Sequence, residues 1–157
     1  MAYWMRVFCT EGEPPPLEDV LTWVAERGPA LALDTDLIDV DPSSPGWTQA
    51  AISYRPEKQP FLAETIIATE PEAKEELDEF VELLEDAQDS PAKGNVLAHL
   101  RQTTFIVANQ IPTSDFENDG YDSVGEFMRF FVEQNGGMIQ ADGEGFYEGD
   151  KLVVQLD

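Results

Sequence analysis

The chain has 157 residues, with 32 acidic and nine basic side chains, and its net charge is −23 at pH 7. A hydrophobic fraction of 42% is enough to build a core, so the acidity does not by itself indicate disorder. Nine basic residues cannot supply a large phosphate-neutralising patch, and we therefore expect no direct binding to nucleic acid or to an anionic membrane surface.

The cysteine content and the N-terminal sequence give information about the cellular compartment of the protein. Cys9 is the single cysteine, so an internal disulfide is excluded. The first residues lack a basic segment followed by a long apolar one, and no stretch approaches the roughly 18–20 apolar residues that span a bilayer. These features predict a soluble cytoplasmic protein. They do not indicate its oligomeric state.

The first part of the chain, residues 1–69, predicts the order β-α-β-β-β. The run 3–10 is rich in aromatic and β-branched residues and is apolar on both faces, which favours a strand near the centre of a sheet. A short helix over 17–27 ends at Gly28. Three further extended segments are predicted at 30–40, 47–54 and 61–68.

Residues 70–101 form a helical connector. Its first helix, 70–89, holds ten carboxylates and one base, Lys74, and has one apolar stripe at helical spacing: Ala73, Leu77, Phe80, Val81, Leu84 and Ala87. Thr69 is the predicted N-cap of this helix. Ser90 is the predicted N-cap of a second, shorter helix that ends near Arg101.

The last part of the chain, residues 103–157, predicts the order β-α-β-β. A strand over 103–110 leads through an acidic loop to a helix over 123–134. A hairpin with arms 138–147 and 151–156 follows, and Gly143 and Gly145 predict a bulge or an extra turn in its first arm.

Together these elements predict a single α+β domain. We expect an antiparallel or mixed sheet with the helices packed on one face. The halves 1–69 and 103–157 share a ferredoxin-like β-α-β-β pattern, which both a duplication and convergent patterning explain.

One acidic segment resembles the spacing of a calcium-binding loop. The side chains at positions 1, 3, 5, 9 and 12 of a twelve-residue EF-hand pattern are Asp115, Glu117, Asp119, Ser123 and Glu126, with Gly120 at position 6. Three departures weaken the match: Glu at position 3, Asp122 at position 8, and a strand rather than a helix before the loop. The alternative is structural, because Ser123 and Glu126 also form the capping box of the following helix.

Cys9 and His99 are the one combination that suits a Cys–His nucleophile. The ordinary alternative is that Cys9 is a small buried hydrophobic residue in its strand. With 32 acids, the sequence cannot single out a catalytic carboxylate pair. An enzymatic role is therefore not the leading prediction.

The charge pattern of the predicted helix 70–89 gives the leading functional hypothesis. Like charges four residues apart each cost about 0.2–0.5 kcal/mol, and carboxylates near the C-terminal end oppose the helix dipole. Such a surface favours a non-enzymatic interaction or regulatory protein that meets a basic partner through Glu82, Glu85, Asp86 and Asp89.

Two alternatives to this hypothesis remain open. The acidity is also typical of a protein solvated for high salt or for general solubility. The second functional class is a small-molecule or cation-binding domain, or an enzyme, with a pocket between the sheet and the loops 41–46 and 111–122.

Overall fold

The computed structural model describes residues 3–156, which form eight strands and four helices. The first six elements are β1 (Tyr3–Cys9), α1 (Leu17–Ala25), β2 (Ala32–Leu33), β3 (Gln49–Ser53), β4 (Phe61–Ile67) and α2 (Pro71–Asp86). The other six are α3 (Pro91–Arg101), β5 (Phe105–Ile111), α4 (Asn118–Gln134), β6 (Gly137–Ala141), β7 (Gly145–Glu148) and β8 (Lys151–Gln155).

All eight strands belong to one sheet, in the order β2-β3-β4-β5-β1-β6-β7-β8, and each neighbouring pair is antiparallel. The α+β class and the antiparallel sheet are therefore confirmed. β1 lies between β5 and β6, as its apolar residues on both faces predicted.

The helices lie on both faces of the sheet, so the prediction of helices on one face is wrong. Val7 and Cys9 belong to a core that includes residues of α1 and α4, whereas Phe8 belongs to a second core with α2 and α3. Alternate residues of a strand point to opposite faces. Because the central strands are apolar on both faces, helices must pack on each face to bury those residues.

The two halves of the chain share one sheet but connect differently within it. In the first half, α1 leads from β1 to β2 at the far edge of the sheet. In the second half, α4 leads from β5 to β6, with only β1 between those two strands. The ferredoxin-like pattern is not confirmed by this order, and a duplication of the halves stays a prediction.

The extended segment predicted at 30–40 is wrong over most of its length, since only Ala32–Leu33 is a strand. Asp34 turns the chain: its Oδ1 accepts a hydrogen bond from the backbone N–H of Leu37 at 3.2 Å, and its carbonyl accepts from Ile38 at 3.2 Å. Hydrogen bonds between a short acidic side chain and the nearby backbone compete with the hydrogen bonds between strands, so the strand ends here.

The extra turn predicted from Gly143 and Gly145 is confirmed, because it separates β6 from β7. Gly145 has φ of 138°, and a Cβ there would meet the carbonyl oxygen and backbone atoms of β8. Among residues 3–156, no helix is both long and apolar enough to cross a membrane.

Candidate functional site

The apolar stripe of α2 packs on the sheet as predicted. Ala73, Phe80 and Leu84 are buried, and Leu77 and Val81 pack against the same core. The Phe80 ring meets Phe8 and Phe146 edge-to-face, with centroids 5.6 Å apart in each case. The orientation of α2 is therefore determined by packing, and its remaining surface carries the carboxylates.

The predicted cap at the start of α2 is wrong. The helix begins at Pro71, and its N-cap is Glu70 in an extended conformation without a side-chain capping hydrogen bond. Proline is favourable at the first position of a helix, because it has no backbone N–H that would be left without an acceptor there. The cap predicted for α3 is confirmed, because the Ser90 side chain accepts a hydrogen bond from the Lys93 N–H at 3.1 Å.

Lys93 of α3 neutralises the C-terminal end of α2. Its Nζ donates to the carbonyl oxygens of Glu85 and Ala87, at 3.1 and 2.9 Å, and to Asp89 Oδ1 at 3.0 Å. A cation on the last carbonyls of a helix offsets the dipole that the nearby carboxylates oppose. This contact relieves part of the charge conflict predicted at this end, because Asp89 has a counter-ion and two terminal carbonyls have a cationic donor.

The acidic surface defined by Glu82, Glu85 and Asp86 has no such relief. All three side chains are exposed, and none forms an ion pair with another residue in the range 3–156. Beside them Leu83 is 50% exposed. A shallow depression of about 350 Å³ runs over this part of α2, and Glu79, Phe80, Glu82, Leu83 and Asp86 line it.

The calcium-loop residues do not converge on a common centre. Lys58 Nζ lies 3.0 Å from Asp115 and 3.1 Å from Glu117, and Arg55 lies 2.6 Å from Asp119. The hydrogen bond to Asp115 raises the pKa of Lys58, and the hydrogen bond to Asp119 raises the pKa of Arg55. These carboxylates therefore already have cations of the chain as partners.

The second half of the predicted loop is helical. Because α4 begins at Asn118, Ser123 is an interior helix residue and its Oγ donates to the Asp119 carbonyl at 2.8 Å. The capping box predicted from Ser123 and Glu126 is therefore wrong, and Glu126 instead lies 3.7 Å from Arg129. Calcium binding would require α4 to unwind at its start, so it has no support in this geometry and stays a prediction.

No cluster of three or more His, Cys, Asp or Glu side chains suited to a metal ion occurs between residues 3 and 156. Cys9 and His99 are also apart, because Cys9 faces the core with α1 and α4 whereas His99 lies on α3. Burial raises the pKa of the Cys9 thiol, and His99 Nε2 donates to the Phe8 carbonyl at 2.7 Å. The predicted alternative, a buried structural cysteine, is confirmed.

A cleft does lie beside the loop 111–122, but not beside the loop 41–46. It has a volume of about 500 Å³ and is lined by Leu37, Gln59, Pro60, Leu62 and residues 110–114. Residues 41–46 instead pack near α1, where the Pro42 carbonyl accepts from the Glu18 N–H at 2.9 Å. None of residues 41–46 lines this cleft, and a pocket that involves both loops stays a prediction.

Two tyrosines that the sequence did not single out share one carboxylate. Tyr3 donates to Glu144 Oε2 at 2.6 Å, and Tyr147 donates to Glu144 Oε1. Burial and the hydrogen bond to Glu144 raise the pKa of Tyr3, while the two phenols lower the pKa of Glu144. The cluster ties β1 to the turn between β6 and β7. No local motif marks it, since Tyr3 and Glu144 are 141 residues apart.

Comparison of the chain with protein-family models, with curated proteins and with solved structures finds no match.

Proposed function

We propose that this protein is a cytoplasmic, non-enzymatic interaction or regulatory protein that presents the acidic surface of α2 to a basic protein partner. The observation that carries the proposal is the exposed Leu83, which shares its depression with Glu79, Glu82 and Asp86. An apolar contact with a charged rim is typical of protein interfaces, because the apolar part supplies affinity and the charges supply specificity and a fast approach.

The distribution of the basic residues also supports the proposal. Arg55 pairs with Asp119 at the start of α4, Lys58 pairs with Asp115, and Lys93 pairs with Asp89. Glu82 and Asp86, like most other acids of the chain, form no ion pair among residues 3–156. A basic partner would supply the missing counter-charge.

The rival explanation attributes the same acidity to solvation. Under it, every exposed carboxylate is equivalent and the position of the charge has no effect on binding. The two explanations therefore differ in whether a change on α2 and an equal change elsewhere have different effects.

The test uses two variants that each remove four negative charges. In the first, Glu82, Glu85, Asp86 and Asp89 are changed to Gln. In the second, the control, four exposed acids associated with α1 and α4 on the opposite face are changed to Gln: Glu18, Glu26, Asp122 and Glu133. Immobilised wild type and both variants are exposed to the same cell extract, and captured proteins are identified and quantified by mass spectrometry.

We expect the α2 variant to lose at least about 90% of a captured basic protein, which corresponds to a tenfold weaker interaction. The control should retain it, and circular dichroism should show both variants folded. Equal losses with the two variants would support the solvation explanation. Captured proteins that are unchanged, or that are not basic, would contradict the proposal.

A further inference from the structure

A small pocket on the same face of the sheet as α2 contains an unpaired carboxylate. Trp4 of β1, Gln110 of β5, Glu64 of β4 and Gln49 of β3 line it, and its volume is about 120 Å³. Strand pairing brings these residues together, since Gln49 is the register partner of Glu64 and Trp4 is the register partner of Gln110. The four residues alternate with core residues that point to α1 and α4.

The polar groups of this pocket have no partners within residues 3–156. The side chains of Gln49, Glu64 and Gln110 form no hydrogen bond or ion pair there, and the Trp4 indole N–H donates to none of these residues. Glu64 is partly buried. Its carboxylate and the two carboxamides can therefore bind a ligand without breaking an existing side-chain contact.

The Arg6 guanidinium lies 5.8 Å from the centroid of the Trp4 ring, but other residues already bind it. Arg6 is separated from Glu64 by β5, because both residues pair with Ala108. Its guanidinium bonds Gln140 and Asp142, at 2.8 Å each, and forms an ion pair with Glu76. Arg6 thus serves other carboxylates, and Glu64 faces the pocket alone.

The pocket adjoins the larger cleft, with which it shares the lining residues Leu62 and Gln110. Within residues 3–156, no charged side chain lines that cleft, whose walls include Leu37, Pro60 and Pro112. One carboxylate with two carboxamides suits a planar guanidinium, which donates several hydrogen bonds in one plane. The uncharged cleft suits the aliphatic stem of an arginine and the neutral residues beside it.

We infer that the Glu64 pocket binds an arginine side chain of a protein partner and that the adjoining cleft holds the peptide segment on either side of that arginine. The inference rests on the proposed function in one respect, namely that the partner is basic. The pocket and α2 lie on the same face of the sheet, and both carry carboxylates that favour a basic partner. The net charge of −23 also favours the approach of a cation.

The test measures binding of defined probes by ¹H–¹⁵N NMR, following the Trp4 indole N–H and the side-chain amides of Gln49 and Gln110. The main probe is a five-residue peptide with one central arginine between uncharged apolar residues. Matched peptides carry lysine or the neutral isostere citrulline at the centre, and acetyl-argininamide represents a free small guanidine. The protein is used as wild type, as Glu64→Gln and as the charge-matched control Glu82→Gln.

We expect the arginine peptide to shift all three side-chain signals and to bind at least about tenfold more tightly than the citrulline peptide or acetyl-argininamide. The lysine peptide should bind about threefold or more weakly than the arginine peptide, because its ammonium lacks the planar donor array. Glu64→Gln should weaken the arginine peptide at least about tenfold, and Glu82→Gln should change its affinity less than about twofold.

Three outcomes would overturn the inference: equal binding of the arginine and citrulline peptides, an unchanged affinity in Glu64→Gln, or acetyl-argininamide binding as tightly as the peptide. The last would indicate a small-molecule site. Backbone signals away from the pocket show whether Glu64→Gln remains folded. The peptide titrations do not use the capture experiment that tests the acidic surface of α2. The proposed function and this inference can therefore fail independently of each other.

Discussion

At the scale of single residues, Gly120 determines how closely α4 approaches two aromatic side chains. A Cβ at this position would lie 2.7 Å from Phe116 Cε2 and 2.9 Å from Tyr54 Cε1. The Tyr54 and Phe116 rings meet edge-to-face at 4.8 Å, and the Tyr54 hydroxyl accepts a hydrogen bond from the Glu117 N–H at 2.9 Å. Gly120 is thus a close-contact residue in the first turns of a helix, not part of a loop.

Gly120→Ala should destabilise the protein by about 1–3 kcal/mol, because the added methyl group overpacks the contact with Phe116 and Tyr54. Gly125→Ala is the matched control in the same helix, since a Cβ there would meet nothing within 4 Å. It should stabilise the protein by about 0.5–1 kcal/mol through higher helix propensity. Urea unfolding followed by circular dichroism measures both changes, and equal effects of the two substitutions would contradict this packing.

At the scale of the elements, the stability of the α2–α3 pair depends on one buried lysine. The Lys93 side chain is 11% exposed and bonds two terminal carbonyls of α2 together with Asp89. A helix terminus whose carbonyls lack partners is unfavourable away from water. Lys93 therefore stabilises an element whose own charges repel one another.

Lys93→Met should destabilise the protein by about 1–3 kcal/mol, because methionine preserves the apolar stem but leaves the terminal carbonyls without their donor. Lys74→Met removes the same charge from an exposed position of α2 and should change stability by less than about 0.5 kcal/mol. Denaturant unfolding of the two variants is the measurement. A smaller loss for Lys93→Met than for Lys74→Met would show that the cap is unimportant.

At the scale of the whole molecule, the net charge opposes the compact state. With 32 acids and nine bases, the electrostatic contribution to folding is dominated by repulsion between carboxylates. The repulsion is densest along α2, where ten carboxylates occur within residues 70–89.

Raising salt from about 0.1 to about 1 M should raise the melting temperature, because the Debye length falls from about 10 to about 3 Å and the repulsion is screened. The variant with Gln at 82, 85, 86 and 89 should show a smaller rise than wild type, since it lacks the like-charge pairs of Glu82 with Asp78 and Asp86 four residues away. Calorimetry at several salt concentrations measures this. A melting temperature that falls with salt would contradict the dominance of repulsion.

The same series compares the α2 variant with the control changed at 18, 26, 122 and 133. If both reduce the salt response equally, the acids act as a uniform solvating surface. If the α2 variant reduces it more, the repulsion is concentrated on α2.

Much of the fold follows from local sequence patterns. The apolar stripe of α2 and the central position of β1 depend on residue spacing within one segment, and the Ser90 cap depends on a residue three positions away. Such features depend on residues that are close in sequence, so the sequence alone predicted them, although the tertiary packing stabilises the helices and strands themselves.

Only the tertiary structure decided the distribution of helices between the faces and the partners of the charged residues. The ion pair of Lys58 with Asp115 joins positions 57 apart, and that of Arg55 with Asp119 joins positions 64 apart. The Glu64 pocket needs four strands in a particular order. No local pattern encodes such contacts, because they depend on which strands pair and in which register.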